Sequence, residues 1–150
     1  MKLLIIILLN IHMFSFNIPD FDGDNAFELI KKQCEYGPRY PGSESHNKFA
    51  DYLFEYFNST ADSVSFFQDS INHPFTKERL EIKNIMAMHN PSSKERYLFL
   101  AHWDTRDRAD KDKDKNNHLT PILGANDGGS GVALLMQLSK HIKNDLNLKK

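Results

Sequence analysis

The chain has 150 residues, enough for one domain, and 40% of them are apolar, which is sufficient to build a buried core. Its 19 basic and 20 acidic side chains give a net charge of −1, which excludes the strongly basic surface expected of a protein that binds nucleic acid or anionic membranes. Cys34 is the only cysteine, so a disulfide within the chain is excluded.

Residues 1–16 have the pattern of a signal peptide or an N-terminal anchor. Lys2 supplies a positive charge, and residues 3–9 form an unbroken aliphatic run. This run is shorter than the about 20 apolar residues that a membrane-spanning helix needs. No small-x-small cleavage site is evident, so a cleaved leader, an uncleaved anchor and a core strand all stay open. We expect export, which predicts a secreted or periplasmic protein with no stable membrane association beyond the anchor itself.

The next part of the chain predicts two helices. The first is expected to begin near Asp24, which can cap it, and to end before the Gly-Pro pair at 37–38. The second follows Ser43 or Ser45, either of which can cap it, and runs to about residue 57. Four aromatic and aliphatic side chains recur at helical spacing and predict a face packed in the core: Phe49, Leu53, Phe54 and Phe57.

Strand patterns follow the helices. Residues 64–68 and 80–88 predict two strands, which we expect to pair antiparallel. Residues 97–103 are mostly apolar with polar neighbours on both sides, which predicts a central strand buried on both faces. A final helix is expected from about residue 132 to residue 143.

Polar side chains follow the third predicted strand and a glycine-rich turn. His102 and Asp104 are two residues apart, so on an extended backbone they point to the same face. Asp127 begins the Asp-Gly-Gly-Ser-Gly turn before the last helix. One imidazole and two carboxylates at the end of a strand and the start of a helix suit a zinc site. From the spacing alone, Asp127 fits a zinc ligand and a helix N-cap equally well.

Three stretches together carry a family resemblance: residues 36–43 (Tyr-Gly-Pro-Arg-Tyr-Pro-Gly-Ser), 101–106 (Ala-His-Trp-Asp-Thr-Arg) and 121–131 (Pro-Ile-Leu-Gly-Ala-Asn-Asp-Gly-Gly-Ser-Gly). In this order they resemble the glutaminyl-peptide cyclotransferases, which share their fold with the zinc aminopeptidases. The resemblance implies an α/β fold with three α/β/α layers around a mixed, mostly parallel twisted sheet. Residues 17–150 would form the N-terminal part of that catalytic domain.

The resemblance also implies roles for the polar residues. Asp127 matches a zinc-binding aspartate, which in the aminopeptidases bridges two zinc ions. His102 matches a histidine that binds the second metal in the aminopeptidases but is not needed as a ligand in the cyclases, so it is either a ligand or a hydrogen-bonded pocket residue. Asp104 would be the catalytic-site carboxylate that orients the imidazole. One zinc ion is expected, or two in an aminopeptidase, with a cis peptide bond after Asp127.

The activity implied by the resemblance is conversion of N-terminal glutamine to pyroglutamate with release of ammonia. The partners would be peptides or proteins with N-terminal glutamine, and no nucleic acid. In full-length members of the family the acid/base glutamate and the other zinc ligands lie further downstream, so we expect an incomplete, inactive and poorly soluble fragment. The alternatives are a two-zinc aminopeptidase, which would release N-terminal residues, and a secreted binding module without catalysis.

Trp103 and the six other histidines are expected to have no part in catalysis or metal binding. Trp103 alternates away from His102 on the predicted strand and is expected to pack in the interior. Six other histidines match no family motif, and each is expected at the surface or in a loop: His12, His46, His73, His89, His118 and His141.

Overall fold

The computed structural model describes residues 20–73 and 75–145. The regular elements are, in order, α1 (Gly23–Glu35), α2 (Glu44–Thr60), β1 (Ser63–Asn72), β2 (Arg79–Met88), a 3₁₀ turn (Lys115–Asn117) and α3 (Gly129–Asn144). Every helix and both paired strands predicted from the sequence are present, with ends that differ by a few residues. The predicted segment at 1–16 lies outside the described residues.

Local capping sets the helix ends. Asp22, rather than the expected Asp24, caps α1, because its Oδ1 accepts the backbone N–H of Asn25 at 2.9 Å. The sequence left Ser43 and Ser45 as possible caps of α2. In the structure Ser43 is the cap, and its Oγ accepts the N–H of His46 at 3.0 Å. Residues 36–43 connect the C-terminus of α1, where the Tyr36 N–H donates to the carbonyl of Gln33, to the Ser43 cap of α2, so this loop is held at both ends by hydrogen-bonded helix termini.

The two paired strands form an antiparallel hairpin, as predicted. Their register runs from Ser63 opposite Met88 to Asn72 opposite Arg79. In the part of the chain that the structure describes, this is the one sheet, and it contains no parallel pair. The mostly parallel sheet implied by the resemblance is therefore not formed within residues 20–73 and 75–145.

The prediction of a central buried strand at residues 97–103 is wrong in this structure. The segment pairs with no described strand, and Leu98 and Leu100 are 76% and 82% exposed. A strand of this type needs cover on both faces and partners at its edges, and the described elements supply neither. Only its C-terminal end is held, because the buried Trp103 donates its Nε1–H to the Lys83 carbonyl at 3.2 Å.

The core lies between α2, α3 and the hairpin. Phe49 and Leu53 of α2 are buried, as the helical stripe predicted, and they pack with Met136 of α3. Trp103 joins this cluster, so its predicted inward orientation is confirmed. The core thereby anchors the residue between His102 and Asp104, which fixes where the chain leaves the interior.

His46 is a correction to the expectation of a surface or loop residue. Its side chain is 2% exposed, and its ring stacks on Trp103 with 4.2 Å between centroids. Position 46 lies three residues before Phe49 on the buried face of α2, which explains the burial. His73 and His118, which do lie in loops as expected, hydrogen bond to Asp107 and to the Asp112 carbonyl. His12 falls outside the described residues.

Burial of His46 predicts a loss of stability in acid. Desolvation lowers the pKa of His46 below its ordinary value of 6.5, Lys83 lowers it further, and Asp104 and a hydrogen bond with Asn47 oppose the shift. A group whose pKa is depressed by folding contributes stability above its unfolded pKa and loses it as the pH falls. We expect the urea midpoint of the wild type to fall between about pH 7 and pH 5.

The control for this prediction is the matched pair His46→Gln and His118→Gln. The first removes the buried imidazole and should flatten the pH dependence over that range, whereas the second changes a loop imidazole and should leave the slope as in the wild type. Equal slopes in all three proteins would contradict the assignment to His46.

Exposure of residues 97–100 predicts aggregation through this segment. An unpaired apolar strand offers free N–H and C=O groups to other chains, so we expect Leu98→Lys to reduce association without lowering stability. Light scattering measures the first effect, and urea unfolding followed by circular dichroism measures the second. Unfolding of the Leu98→Lys protein would show that this side chain is covered in solution.

None of the helices formed by the described residues is long and apolar enough to cross a membrane.

Candidate metal centre

The structure brings the three predicted site residues together. His102 Nε2 lies 2.9 Å from Asp127 Oδ1, although 25 positions separate the two residues in the sequence. On the other side of the ring, His102 Nδ1 lies 3.1 Å from the backbone carbonyl oxygen of Asp104. The imidazole is therefore held between the loop that follows Trp103 and the turn that precedes α3.

The carboxylate of Asp104 does not orient the imidazole, contrary to the prediction. Its Oδ1 is 3.7 Å from His102 Nδ1, too far for a hydrogen bond, whereas its backbone carbonyl is within range. The backbone of Asp104, and not its half-exposed carboxylate, therefore holds the ring.

Asp127 is not the N-cap of α3, so the alternative interpretation of this residue is wrong. Gly128 occupies the cap position with φ of +90°, and no side-chain hydrogen bond caps the helix. The Asp127 side chain is 75% exposed, and its carboxylate oxygen lies beside the His102 ring. The carboxylate is thus directed to a side-chain partner and not to the helix backbone.

Two glycines allow the turn to approach His102. A Cβ on Gly128 would lie 3.2 Å from His102 Cε1 and 3.1 Å from the Asp104 carbonyl oxygen. A Cβ on Gly124 would lie 2.4 Å from Thr105 Cγ2 and 2.8 Å from the Asp127 carbonyl oxygen. Both residues have positive φ, which glycine adopts at little cost. Residues 124–128 can therefore pack directly against residues 102–105.

The hydrogen-bonding chemistry of His102 fits a shared cation. A carbonyl oxygen only accepts, so the Nδ1 of His102 carries the hydrogen in its contact with Asp104. In the neutral ring, Nε2 then presents a lone pair to the carboxylate of Asp127. Two Lewis bases at this distance are stabilised by a proton or a metal ion between them. Two donors on a tetrahedral zinc ion with bonds of about 2.0–2.2 Å would lie roughly 3.3–3.6 Å apart. The observed 2.9 Å is the spacing of a hydrogen bond, so zinc binding would require the two side chains to move slightly apart.

The donor set is nevertheless partial. Within residues 20–73 and 75–145 no group of three or more His, Cys, Asp and Glu side chains is placed to hold a metal ion. A catalytic zinc ion has three protein ligands as a rule, so His102 and Asp127 supply at most two of them. The expected cis bond after Asp127 is also not found, because every peptide bond in the described residues is trans.

Two cavities meet at the His102–Asp127 pair. One has a volume of about 50 Å³ and lies between the pair and the loops at residues 104–106 and 122–124. The other is an open cleft of about 420 Å³ that extends along Leu100 and Ala101 to the first turn of α3. Both side chains are therefore open to solvent from the larger cleft.

Arg39 is the site-supporting residue whose role the sequence does not reveal. Its side chain is fully buried, and it contacts the loops at 103–105 and 123–124. Arginine is almost never fully buried without a partner, so the sequence offered no reason to expect Arg39 in the interior. Its position inside the Gly-Pro-Arg-Tyr-Pro-Gly motif was the one sequence feature that marked Arg39 as unusual.

Comparison with known proteins supports the fold and the zinc-enzyme class. Residues 84–150 match the profile of peptidase family M28. The sequence has no significant match among curated protein sequences. Solved structures do match: a glutaminyl cyclase from Bacteroides thetaiotaomicron bound to N-acetylhistamine is 37% identical, with a TM-score of 0.83, over 87% of this chain and 44% of its own.

Two further matched structures are of peptidases. A leucine aminopeptidase precursor from Bacteroides thetaiotaomicron matches with the same identity, coverage and TM-score as the cyclase. A zinc-dependent exopeptidase from Parabacteroides distasonis is 34% identical, with a TM-score of 0.81, over 85% of this chain and 44% of its own. The chain thus spans less than half of the length of each of these relatives.

The chain belongs to the zinc aminopeptidase-like superfamily, and its described elements are an α/β part of that fold. Within the superfamily it is similar to the bacterial glutaminyl cyclases, as the three sequence motifs indicated. The family resemblance is therefore confirmed for the part of the fold that this chain covers.

Proposed function

We propose that this chain contributes part of the zinc site of a glutaminyl-peptide cyclotransferase, which converts N-terminal glutamine to pyroglutamate and releases ammonia. The observation that carries the proposal is the 2.9 Å contact of His102 Nε2 with Asp127 Oδ1 at the end of the open cleft. The likeness to glutaminyl cyclases supports the same reaction. Because the chain spans 44% of these relatives, we assign the activity to a protein that also carries the rest of the fold.

In this proposal each residue has a limited task. Asp127 would hold the zinc ion, which when bound would supply a Lewis acid for the side-chain amide of the substrate. His102 would act as a further ligand or as a hydrogen-bond partner of Asp127. The Asp104 carbonyl fixes the ring of His102, and the cleft beside α3 holds the N-terminal residue of the peptide. The amine and amide of glutamine are already joined, so the enzyme chiefly orients them.

The location and partners of the protein are proposed on the sequence alone. We propose a secreted or periplasmic protein, because residues 1–16 have the pattern of a leader or anchor. Its partners are peptides and proteins that begin with glutamine. The near-neutral net charge provides no attraction for nucleic acid.

A two-zinc aminopeptidase is the second candidate. The contact between His102 and Asp127 also suits a histidine and an aspartate that share metal ions, and one matched structure is a leucine aminopeptidase precursor. The two candidates differ in the number of metal ions and in which bond of the substrate is broken.

A single peptide substrate separates these candidates. The test protein is a chimera in which the matched part of this chain replaces its counterpart in the Bacteroides thetaiotaomicron glutaminyl cyclase. A peptide that begins with Gln-Leu is incubated with the chimera, and the products are identified by mass spectrometry. A cyclase yields ammonia and a peptide of unchanged length, whereas an aminopeptidase yields free glutamine and a shorter peptide.

The controls fix the interpretation. The same peptide with an acetylated amine should not react, because neither reaction proceeds without a free amine. Removal of zinc with a chelator should stop turnover, and added zinc should restore it. Release of free glutamine would support the aminopeptidase. No product and no bound zinc in a folded chimera would refute both and leave the non-catalytic binding module.

A further inference from the structure

Arg39 is a fully buried cation whose side-chain partners in the structure are all backbone carbonyl oxygens. Its Nη1 donates to the carbonyls of Gln33, Gly37 and Leu123 at 3.0–3.1 Å. Its Nη2 donates to the carbonyl of Gly124 at 3.1 Å. The guanidinium also lies over the ring of Phe49, with Cζ 5.2 Å from the centroid.

The fifth side-chain bond of Arg39 reaches the loop that carries His102. Its Nε donates to the Trp103 carbonyl at 3.3 Å, directly between His102 and Asp104. Its backbone also pairs with Thr105, since the Arg39 N–H reaches Thr105 Oγ1 at 2.8 Å and the Thr105 N–H reaches the Arg39 carbonyl at 3.3 Å. One residue thus fixes the chain on which His102 is carried.

The bond from Arg39 to Gly124 reaches the helix side of the centre. The Gly124 carbonyl also accepts the N–H of Gly129, the first residue of α3, at 3.2 Å. Gln33 strengthens the same junction, because its Nε2 donates to the Gly129 carbonyl at 2.8 Å. Residues 124–129 therefore form a closed turn against the guanidinium, and Asp127 is at its tip.

We propose that Arg39 is the positioning residue of the metal centre: it links the loop carrying His102 to the turn carrying Asp127 and thereby sets the distance between their side chains. A planar guanidinium directs its N–H groups along fixed directions. Here Nε donates to one carbonyl, Nη1 shares its two N–H groups among three carbonyls, and Nη2 donates to one. Lysine keeps the charge but has three donors on one nitrogen, so it cannot hold both loops. The proposal rests on the proposed function only for the identity of the ion that the pair binds.

The test compares Arg39→Lys with Arg79→Lys, which changes an exposed arginine on the hairpin, in the 150-residue chain. The first readout needs no metal. Gly128 lies against the His102 ring, so the wild type should give a nuclear Overhauser effect between the His102 Hε1 and a Gly128 Hα. The second readout is zinc affinity, measured by competition with a chromophoric chelator. Circular dichroism follows the helices as a measure of folding.

We expect Arg39→Lys to keep its helices, lose the Overhauser effect and bind zinc at least tenfold more weakly, while Arg79→Lys behaves as the wild type. A folded Arg39→Lys protein that retains both signals would overturn the proposal. If the wild type shows the Overhauser effect but binds no zinc, the Overhauser effect in Arg39→Lys alone decides the role of Arg39, because its loss supports the proposal and its retention overturns it. The proposed function is tested separately by the chimera.

A milder variant covers the case in which Arg39→Lys does not fold. Thr105→Val removes the hydroxyl that accepts the Arg39 N–H and leaves the guanidinium in place, and Thr105→Ser restores the hydroxyl. We expect a weaker Overhauser effect and weaker zinc binding in the valine variant, with recovery in the serine variant. Equal signals in both variants would overturn the proposal.

Discussion

Asp127→Ala is expected to abolish zinc binding and turnover in the chimera that carries the complete site. The carboxylate lies 2.9 Å from His102 Nε2 and caps no helix, so its removal takes away a metal donor without disturbing α3. Loss of a Lewis acid costs several kcal/mol of transition-state stabilisation, which corresponds to roughly a thousandfold or more in rate. Metal analysis after dialysis and the Gln-Leu peptide assay measure the two losses.

His102→Ala is the matched comparison for this prediction. In a one-zinc cyclase we expect it to leave one zinc ion bound, because the imidazole then acts only as a neighbour of Asp127. Loss of all metal from a folded His102→Ala protein would favour the aminopeptidase. Retention of zinc and of turnover by Asp127→Ala would refute the assignment of Asp127 as a ligand.

Gly124→Ala is expected to destabilise the folded chain by about 2–5 kcal/mol. The residue has φ of +63°, and the new Cβ would lie 2.4 Å from Thr105 Cγ2 and 2.8 Å from the Asp127 carbonyl oxygen. Backbone atoms cannot move aside as a flexible side chain can, so the turn must shift away from residues 102–105. A domain of this size has a stability of roughly 5–15 kcal/mol, so the loss is a large part of the total.

The control is Gly23→Ala at the start of α1, where a Cβ would meet nothing within 4 Å. Alanine favours a helix relative to glycine, so this variant should be unchanged or more stable by up to about 1 kcal/mol. Urea midpoints compare the two variants with the wild type. Equal midpoints for Gly124→Ala and the wild type would show that the turn is more adaptable than its contacts indicate.

The sequence predicts elements whose stability is local. The Ser43 cap, the apolar stripe of α2 and the alternation in β2 each involve residues a few positions apart, so a pattern can reveal them. The cap of α1 is Asp22 and not the expected Asp24. The approach of His102 to Asp127 was predicted by placing a strand end beside a helix start, and the two side chains do meet, although the strand itself is not formed. The local predictions needed no knowledge of distant contacts.

The errors concern burial, which depends on distant partners. Residues 97–100 have the composition of a buried strand, but no described element covers or pairs with them. His46 lies three residues before Phe49, so the helical spacing of α2 could have marked it as buried. Arg39 lies in a loop and is buried because the two site loops pack against it, so no helical or strand pattern distinguishes it from a surface residue.

The choice of main-chain partners by Arg39 has an evolutionary consequence. Every residue type has a carbonyl, so mutations at Leu123 or Gly37 leave the acceptors of Arg39 in place whenever the backbone conformation is kept. Mutation of Arg39 itself removes all five bonds in one step. Across diverging descendants we therefore expect position 39 to stay arginine while the side chain at position 123 drifts.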